Sequence, residues 1–243
     1  MKRFQYILAG LSFCCAVQTW AAEAHAIELV TEDDPPHNML NKDGKLVGAA
    51  TEKLEEAFRR AGVPEHATLM PWARAYQSAL STPDVCVFSA ARTAEREPLF
   101  RWVGPVATLD WVLYARADYP HKPAKLEDVR KETLGGYLQD VISVWLANNG
   151  YHVDTAPGDD YNPQKLLNGR FNFWASSRTR AGALLAKQGL TDRIVPVLTF
   201  GRTDLYLACN PGVPQPTIAR LNEALREMGA DGASAKIEAH YPN

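Results

Sequence analysis

Two long apolar runs, Trp111 to Arg116 and Leu205 to Cys209, interrupt an otherwise regular alternation of strand-like and helix-like segments. Before the first run, Ile27 to Thr31 and Thr68 to Met70 read as strands on either side of a helix. In that helix Ala50, Leu54, Ala57, Phe58 and Ala61 recur on one face, and Gly62 stops it. A second helix runs from the Pro71-Trp72 step to about Leu80, and Val85 to Phe88 reads as a buried strand. Between the two runs the alternation resumes. Strands are expected at Leu134 to Tyr137, near Val153, at Phe171 to Ala175 and at Ile194 to Val197. Helices are expected over Val141 to Asn149, Pro163 to Asn168 and Arg178 to Gln188. A helix over Thr217 to Met228 and a short one before His240 close the chain. Alternating strands and helices make mainly parallel sheets that bind ligands at the carboxyl ends of their strands. The two apolar runs divide that pattern into two half-size α/β units joined by two crossing strands. No internal repeat, heptad or low-complexity segment competes with this plan.

The 243 residues suffice for one large domain or two small ones. At the N-terminus, Lys2 and Arg3 precede an apolar run from Tyr6 to Val17. Ala24-His25-Ala26 then fits an A-x-A cleavage site, with Ala21-Ala22 a second one. The run is too short to span a bilayer, and Cys14 and Cys15 lack the preceding small residue of a lipoprotein signal. The expectation is a leader over 1–26 and an exported, soluble periplasmic protein. Without Lys2, Arg3 and Glu23 the formal charge moves from −2 to −3, which argues against nucleic acid and against anionic membrane surfaces as partners. Two cysteines remain, Cys86 and Cys209, both in apolar strand-like runs. They are a disulfide in an oxidising compartment or two buried thiols, and their isolation excludes a cysteine-rich zinc site.

The stretch from Cys86 to Pro105 concentrates the candidate chemistry. A buried strand gives way to small residues, Ser89-Ala90-Ala91, and then to Arg92-Thr93-Ala94-Glu95-Arg96, where Thr93 is expected to cap a short helix. A strand end, two arginines and a helix N-terminus together suit an anion. Pro35-Pro36 turns the segment after the first strand into a loop that presents Asp34, His37 and Asn38. Trp72 is either core or a stacking surface, Trp174 reads as core, and Arg178 and Arg180 face either the cleft or water.

In this order and spacing, several short matches resemble the bacterial extracellular solute-binding proteins of the amino-acid type, family 3. They are Asp43-Gly44-Lys45-Leu46-Val47-Gly48 after the first loop, Thr93-Ala94-Glu95-Arg96 as T-x-x-R, Phe100 to Pro105, and Asn222-Glu223-Ala224-Leu225 with Asp231-Gly232 near the end. The resemblance implies a type II periplasmic binding protein: an α/β fold of two lobes joined by a two-strand hinge, closing on a small solute. It divides the chain into lobe 1 at 27–113, lobe 2 at 114–204 and a return of lobe 1 at 205–243. It also implies that the returning strand lies beside the strand carrying T-x-x-R, which pairs Cys86 with Cys209.

By the same resemblance Arg96 holds a ligand carboxylate in two parallel hydrogen bonds, with Arg92 a second cation beside it. Trp72 and Arg74 occupy the loop where relatives stack an aromatic on the ligand. Asp34, His37, Ser89, Asp140 and Ser177 join the expected ligand set, with Asp140 opening a lobe 2 helix toward the cleft. The acid that binds an α-ammonium in amino-acid members aligns near Ser176 and Ser177, and neither is an acid. That departure speaks against an ordinary α-amino acid. The implied function is capture of a small, polar, carboxylate-bearing solute by a monomer that docks on an ABC permease, with no cofactor and no catalysis. The alternatives are a cyclohexadienyl dehydratase-like enzyme, which would need Glu32 or Asp140 as a buried acid, and a ligand sensor for a membrane receptor.

Overall fold

A computed structural model describes residues 26–241, so the expected leader lies outside the described residues apart from Ala26. The elements, in chain order, are β1 Ile27–Thr31, β2 Met39–Leu40, β3 Leu46–Val47, α1 Ala49–Ala61, β4 Glu65–Leu69, α2 Trp72–Ser81, β5 Val85–Ala91 and β6 Arg101–Arg116. They continue with β7 Thr133–Tyr137, α3 Val141–Asn148, β8 His152–Ala156, α4 Asn162–Leu167, β9 Phe173–Ser177, α5 Arg178–Gln188, β10 Ile194–Cys209, α6 Gln215–Ala230 and α7 Ala233–Glu238. None of these helices is long and apolar enough to cross a membrane.

Eight strands form one sheet in the order β4-β1-β5-β10-β6-β9-β7-β8. Its middle is an antiparallel ribbon of β6 and β10, sixteen residues each, paired from Arg101↔Cys209 to Arg116↔Ile194. At about 3.3 Å per residue the ribbon is roughly 50 Å long. One end carries β5, whose register runs Ala91↔Leu205 to Cys86↔Cys209, and beyond it the parallel strands β1 and β4. The other end carries β9, paired from Trp111↔Ser177 to Tyr114↔Trp174, and beyond it the parallel strands β7 and β8. The two α/β lobes expected from the sequence are thus the two ends of one ribbon.

Each lobe is covered on both faces, and the period of two along its strands assigns residues to opposite cores. Leu29, Cys86 and Leu207 pack with Phe58 and Leu221 on one face of the first lobe, while Val30, Val87 and Ala208 pack with Trp72 and Phe100 on the other. In the second lobe Leu113 and Leu134 join Ile142 and Leu146, and Val112 and Trp174 join Leu166 and Leu185. Cys86 and Cys209 sit opposite one another on β5 and β10 and are joined by a disulfide across 123 residues of sequence.

Three expectations need correction. The strand read at Trp111–Arg116 begins ten residues earlier, at Arg101, and the runs Ile194–Val197 and Leu205–Cys209 are one strand. The intervening Thr199 to Asp204 is polar apart from Phe200 and Gly201 and is partly exposed, and the cross-strand backbone ladder to β6 keeps it extended. Thr93 does not cap a helix. It opens a turn whose hydroxyl accepts from the Arg96 N–H at 3.4 Å, and only a short 3₁₀ segment follows at Glu97–Leu99.

Candidate functional site

The carboxyl ends of β1, β5 and β7 face one another between the lobes. The loop after β1 is held rigidly by the start of α1. Ala49 and Ala50 donate their N–H groups to the carbonyls of Pro36 and His37 at 3.0 and 2.9 Å. Those are donors a helix N-terminus leaves unpaired. Gly48, at φ 130°, makes this approach possible, because a Cβ there would lie 2.3 Å from the His37 carbonyl oxygen. The same loop projects Glu32 and Asp34 toward the second lobe.

Both meet Arg180. Its Nε donates to Asp34 Oδ1 at 3.1 Å, Nη1 to Asp140 Oδ2 at 3.1 Å and Nη2 to Glu32 Oε1 at 3.0 Å. The Arg180 side chain is 9% exposed, and its guanidinium carbon lies 5.4 Å from the centre of the Tyr137 ring. Burial alone would depress the Arg180 pKa, but Asp34, Glu32 and Asp140 outweigh it and hold the pKa above its usual value. One cation among three acids leaves excess negative charge. The Glu32 carboxyl is accordingly pushed up to about 8, by burial first and then by Asp34 and Asp140 against the pull of Arg180. Asp140 also caps α3, accepting from Ile142 N–H at 2.9 Å. This cluster bridges the lobes and fills the middle of the cleft, leaving a void of about 20 Å³. Among the described residues no group of three or more His, Cys, Asp or Glu side chains is arranged to hold a metal ion.

Arg96 lies on the mouth of that void. Its guanidinium carbon sits 5.5 and 5.0 Å from the ring centres of Trp72 and Tyr76. Its Nη1 and Nη2 make long hydrogen bonds to the carbonyls of Ala91 and Gln139, at 3.3 and 3.4 Å. Among the described residues it has no carboxylate within ion-pair distance. Burial holds its pKa below the usual arginine value. Gln139, a non-glycine residue at φ 61°, turns its carbonyl toward the first lobe, where Trp72 Nε1 also donates to it at 3.2 Å. Ser89, at φ 58°, lies where the β5–β10 register slips between Tyr206 and Ala208, and its hydroxyl donates to Asn38 Oδ1.

The blocked middle separates two open compartments. One, of about 690 Å³, runs from Arg96 between α2 and α3, with Tyr76, Leu99, Val141, Val144 and Trp145 on its walls. The other, of about 470 Å³, is polar and lined by Lys53, Asp110, Arg178, Arg202 and Glu238, with His37 at its inner end. His37 is 5% exposed, and neither ring nitrogen has a partner among the described residues. Burial lowers its pKa below the ordinary histidine value, which favours the neutral ring.

Of the residues singled out in the sequence, Asp34, Trp72, Ser89, Arg96 and Asp140 line the central void together. Trp72 is both core and cleft wall. His37 belongs to the polar compartment instead. Arg74 is exposed on α2 and lines none of these cavities. It lies next to neither Trp72 nor Tyr76 on the helix face turned inward, because i and i+2 diverge on a helix. Arg92 also leaves the site: its Nε and Nη2 grip Glu97 at 2.6 Å, and its guanidinium carbon lies 5.6 and 5.5 Å from the ring centres of Trp102 and Tyr206. Ser177 is buried and caps α5, accepting the Arg180 N–H at 3.1 Å, while Ser176 donates to the buried Asp159 at 2.5 Å. Neither hydroxyl is free for a ligand. Trp174 is core.

Arg180 and Tyr76 were not among the expected ligand set. A signal for Arg180 did exist. Arg178 and Arg180 stand in the first turn of α5 with no acid beside them, against the helix dipole, and a cation there needs a carboxylate from elsewhere.

Comparison with known proteins accords with this geometry. The model of the bacterial extracellular solute-binding proteins, family 3, matches residues 27–243. A histidine kinase sensor domain with similarity to periplasmic binding proteins superposes with a TM-score of 0.81 at 20% identity, over 89% of this chain and 96% of that one. Holo ArgBP from T. maritima gives 0.72 at 19%, over 89% and 96%. The arginine-, lysine-, histidine-binding protein ArtJ from Geobacillus stearothermophilus gives 0.76 at 17%, over 89% and 94%. At these identities the likeness is one of fold. No curated protein matches the chain.

Proposed function

The chain belongs to the bacterial extracellular solute-binding proteins of family 3, and from that premise we propose that it captures a small carboxylate-bearing solute between its lobes for an ABC importer. The lobes are residues 27–113 with 205–243, and residues 114–204. The protein acts in the periplasm as a monomer and without catalysis. The observation that carries the reading is Arg96: a half-buried guanidinium seated on two aromatic faces at the interlobe mouth, with no acidic partner among the described residues. A planar carboxylate satisfies such a fork with two parallel hydrogen bonds. Contacts from Trp72 and Tyr76 on one lobe and Gln139 on the other make binding stronger in the closed form, and that differential affinity drives closure.

The test is a thermal-shift screen of mono- and dicarboxylates and amino acids, followed by calorimetry. Arg96→Ala is expected to weaken the best carboxylate by about 2 kcal/mol, roughly thirtyfold. Undiminished binding in that variant would remove Arg96 from the site. A second reading, presentation of the same solute to a membrane receptor, draws support from the sensor domain of a histidine kinase that shares this fold. A permease and ATPase encoded beside the gene favour import; a histidine kinase favours sensing.

A further inference from the structure

We infer that the solute is a carboxylate on an apolar or aromatic body, lacking an α-ammonium group. This deepens the carboxylate reading of Arg96 and rests on it.

An α-amino acid needs two complementary charges close together, a cation for its carboxylate and an acid for its ammonium. Arg96 provides the first. The acids within reach on the inner side are Glu32, Asp34 and Asp140, and each already accepts from a different nitrogen of Arg180. An ammonium could enter only by displacing a buried, threefold-paired guanidinium belonging to the protein itself. Nor is there room for it: the central void of about 20 Å³ holds about one water. Ser176 and Ser177 offer no substitute acid, because their hydroxyls are engaged with Asp159 and with the Arg180 backbone. Arg180 is therefore an internal replacement for the ligand cation.

The space open to a solute lies on the other side of Arg96. The compartment there, about 690 Å³, is within the range of pockets that enclose small molecules. Its walls include Tyr76, Val141, Val144 and Trp145, and Leu99, Val144 and Trp145 are among the large apolar side chains the protein leaves exposed. The acidic residue on its wall, Glu95, is exposed to water at the rim, where a charge interaction is weak. A carboxylate on Arg96 with an aryl or alkyl body along α3 covers this surface.

The experiment is calorimetry of the mature chain with 3-phenylpropionate and with L-phenylalanine, which differ by the ammonium alone. The expected result is binding of 3-phenylpropionate more than about tenfold tighter. Arg180→Ala, which frees the three acids, is expected to reverse that order. Should that variant not fold, Val144→Asp, at a position 42% exposed, tests the groove independently. It should weaken 3-phenylpropionate by about tenfold or more at unchanged melting temperature. Equal or tighter binding of L-phenylalanine by the wild type, or no effect of Val144→Asp, overturns the inference and leaves Arg96 as a carboxylate anchor. If no carboxylate in the screen binds, with or without an amino group, both readings fall.

Discussion

Arg180 is a single positive charge shared by three buried acids, and that imbalance has a pH signature. The folded pKa of Glu32, about 8, stands above the ordinary 4.5 expected of the unfolded chain. The native state then holds a proton that the unfolded chain releases. The associated stability is complete below about 4.5 and is lost as pH rises through about 8. His37, held below its usual pKa by burial, tilts stability the opposite way at lower pH. The measurement is therefore a difference: melting temperature against pH for wild type and for Glu32→Gln. The variant should lose the decline between about pH 4.5 and pH 8; an unaltered profile would show that Glu32 is ionised throughout. Asp140 has two duties, and they can be separated. Asp140→Asn keeps a good helix cap but loses the charge facing Arg180, whereas Asp140→Ala loses both and should cost about 1 kcal/mol more in chemical denaturation. At this scale the sequence was partly legible. Asp34, Trp72, Ser89, Arg96 and Asp140 meet at the central void, whereas Arg74 and Arg92 turn away from it, since a residue's sequence position beside a site does not say which way a long side chain turns.

The elements were more legible than their side chains, because hydrophobic periodicity is local and survives without a partner. α1 and α5 both end at a glycine in the left-handed region, Gly62 and Gly189. Where an element depends on pairing, periodicity ran out. β10 merges two apolar runs through a polar stretch held by β6, and the Thr93 turn is too short to be a helix. Gly48 shows how an element boundary supports the cleft. Gly48→Ala would drive a Cβ against the His37 carbonyl, and the loop cannot yield without breaking its bonds to α1. The expected loss is on the order of 1–3 kcal/mol, read by urea denaturation. Weaker binding of the solute should accompany it, because the same loop carries Asp34, through which Arg180 ties the second lobe to the first.

Over the whole molecule, two links set how the lobes behave. The disulfide between β5 and β10 joins positions 123 residues apart, so it constrains the unfolded chain over about half of its 243 residues. Replacing both cysteines by alanine should cost about 2–5 kcal/mol, checked by calorimetry against the oxidised wild type. Arg180, on the second lobe, reaches Glu32 and Asp34 on the first. Arg180→Ala leaves those acids unpaired and should destabilise the closed arrangement by about 3–5 kcal/mol, seen as a larger radius of gyration in X-ray scattering. An unchanged radius would mean that other contacts hold the lobes together. The alternation of strands and helices, the two crossing runs and the Arg96 motif could all be read from residue order, because each rests on patterns a few residues long. Which arginine faces the cleft, and that the protein neutralises its own acidic centre, came from the fold. Glu32, Asp140 and Arg180 are far apart in the chain, and their charges interact strongly only once burial has removed the water between them.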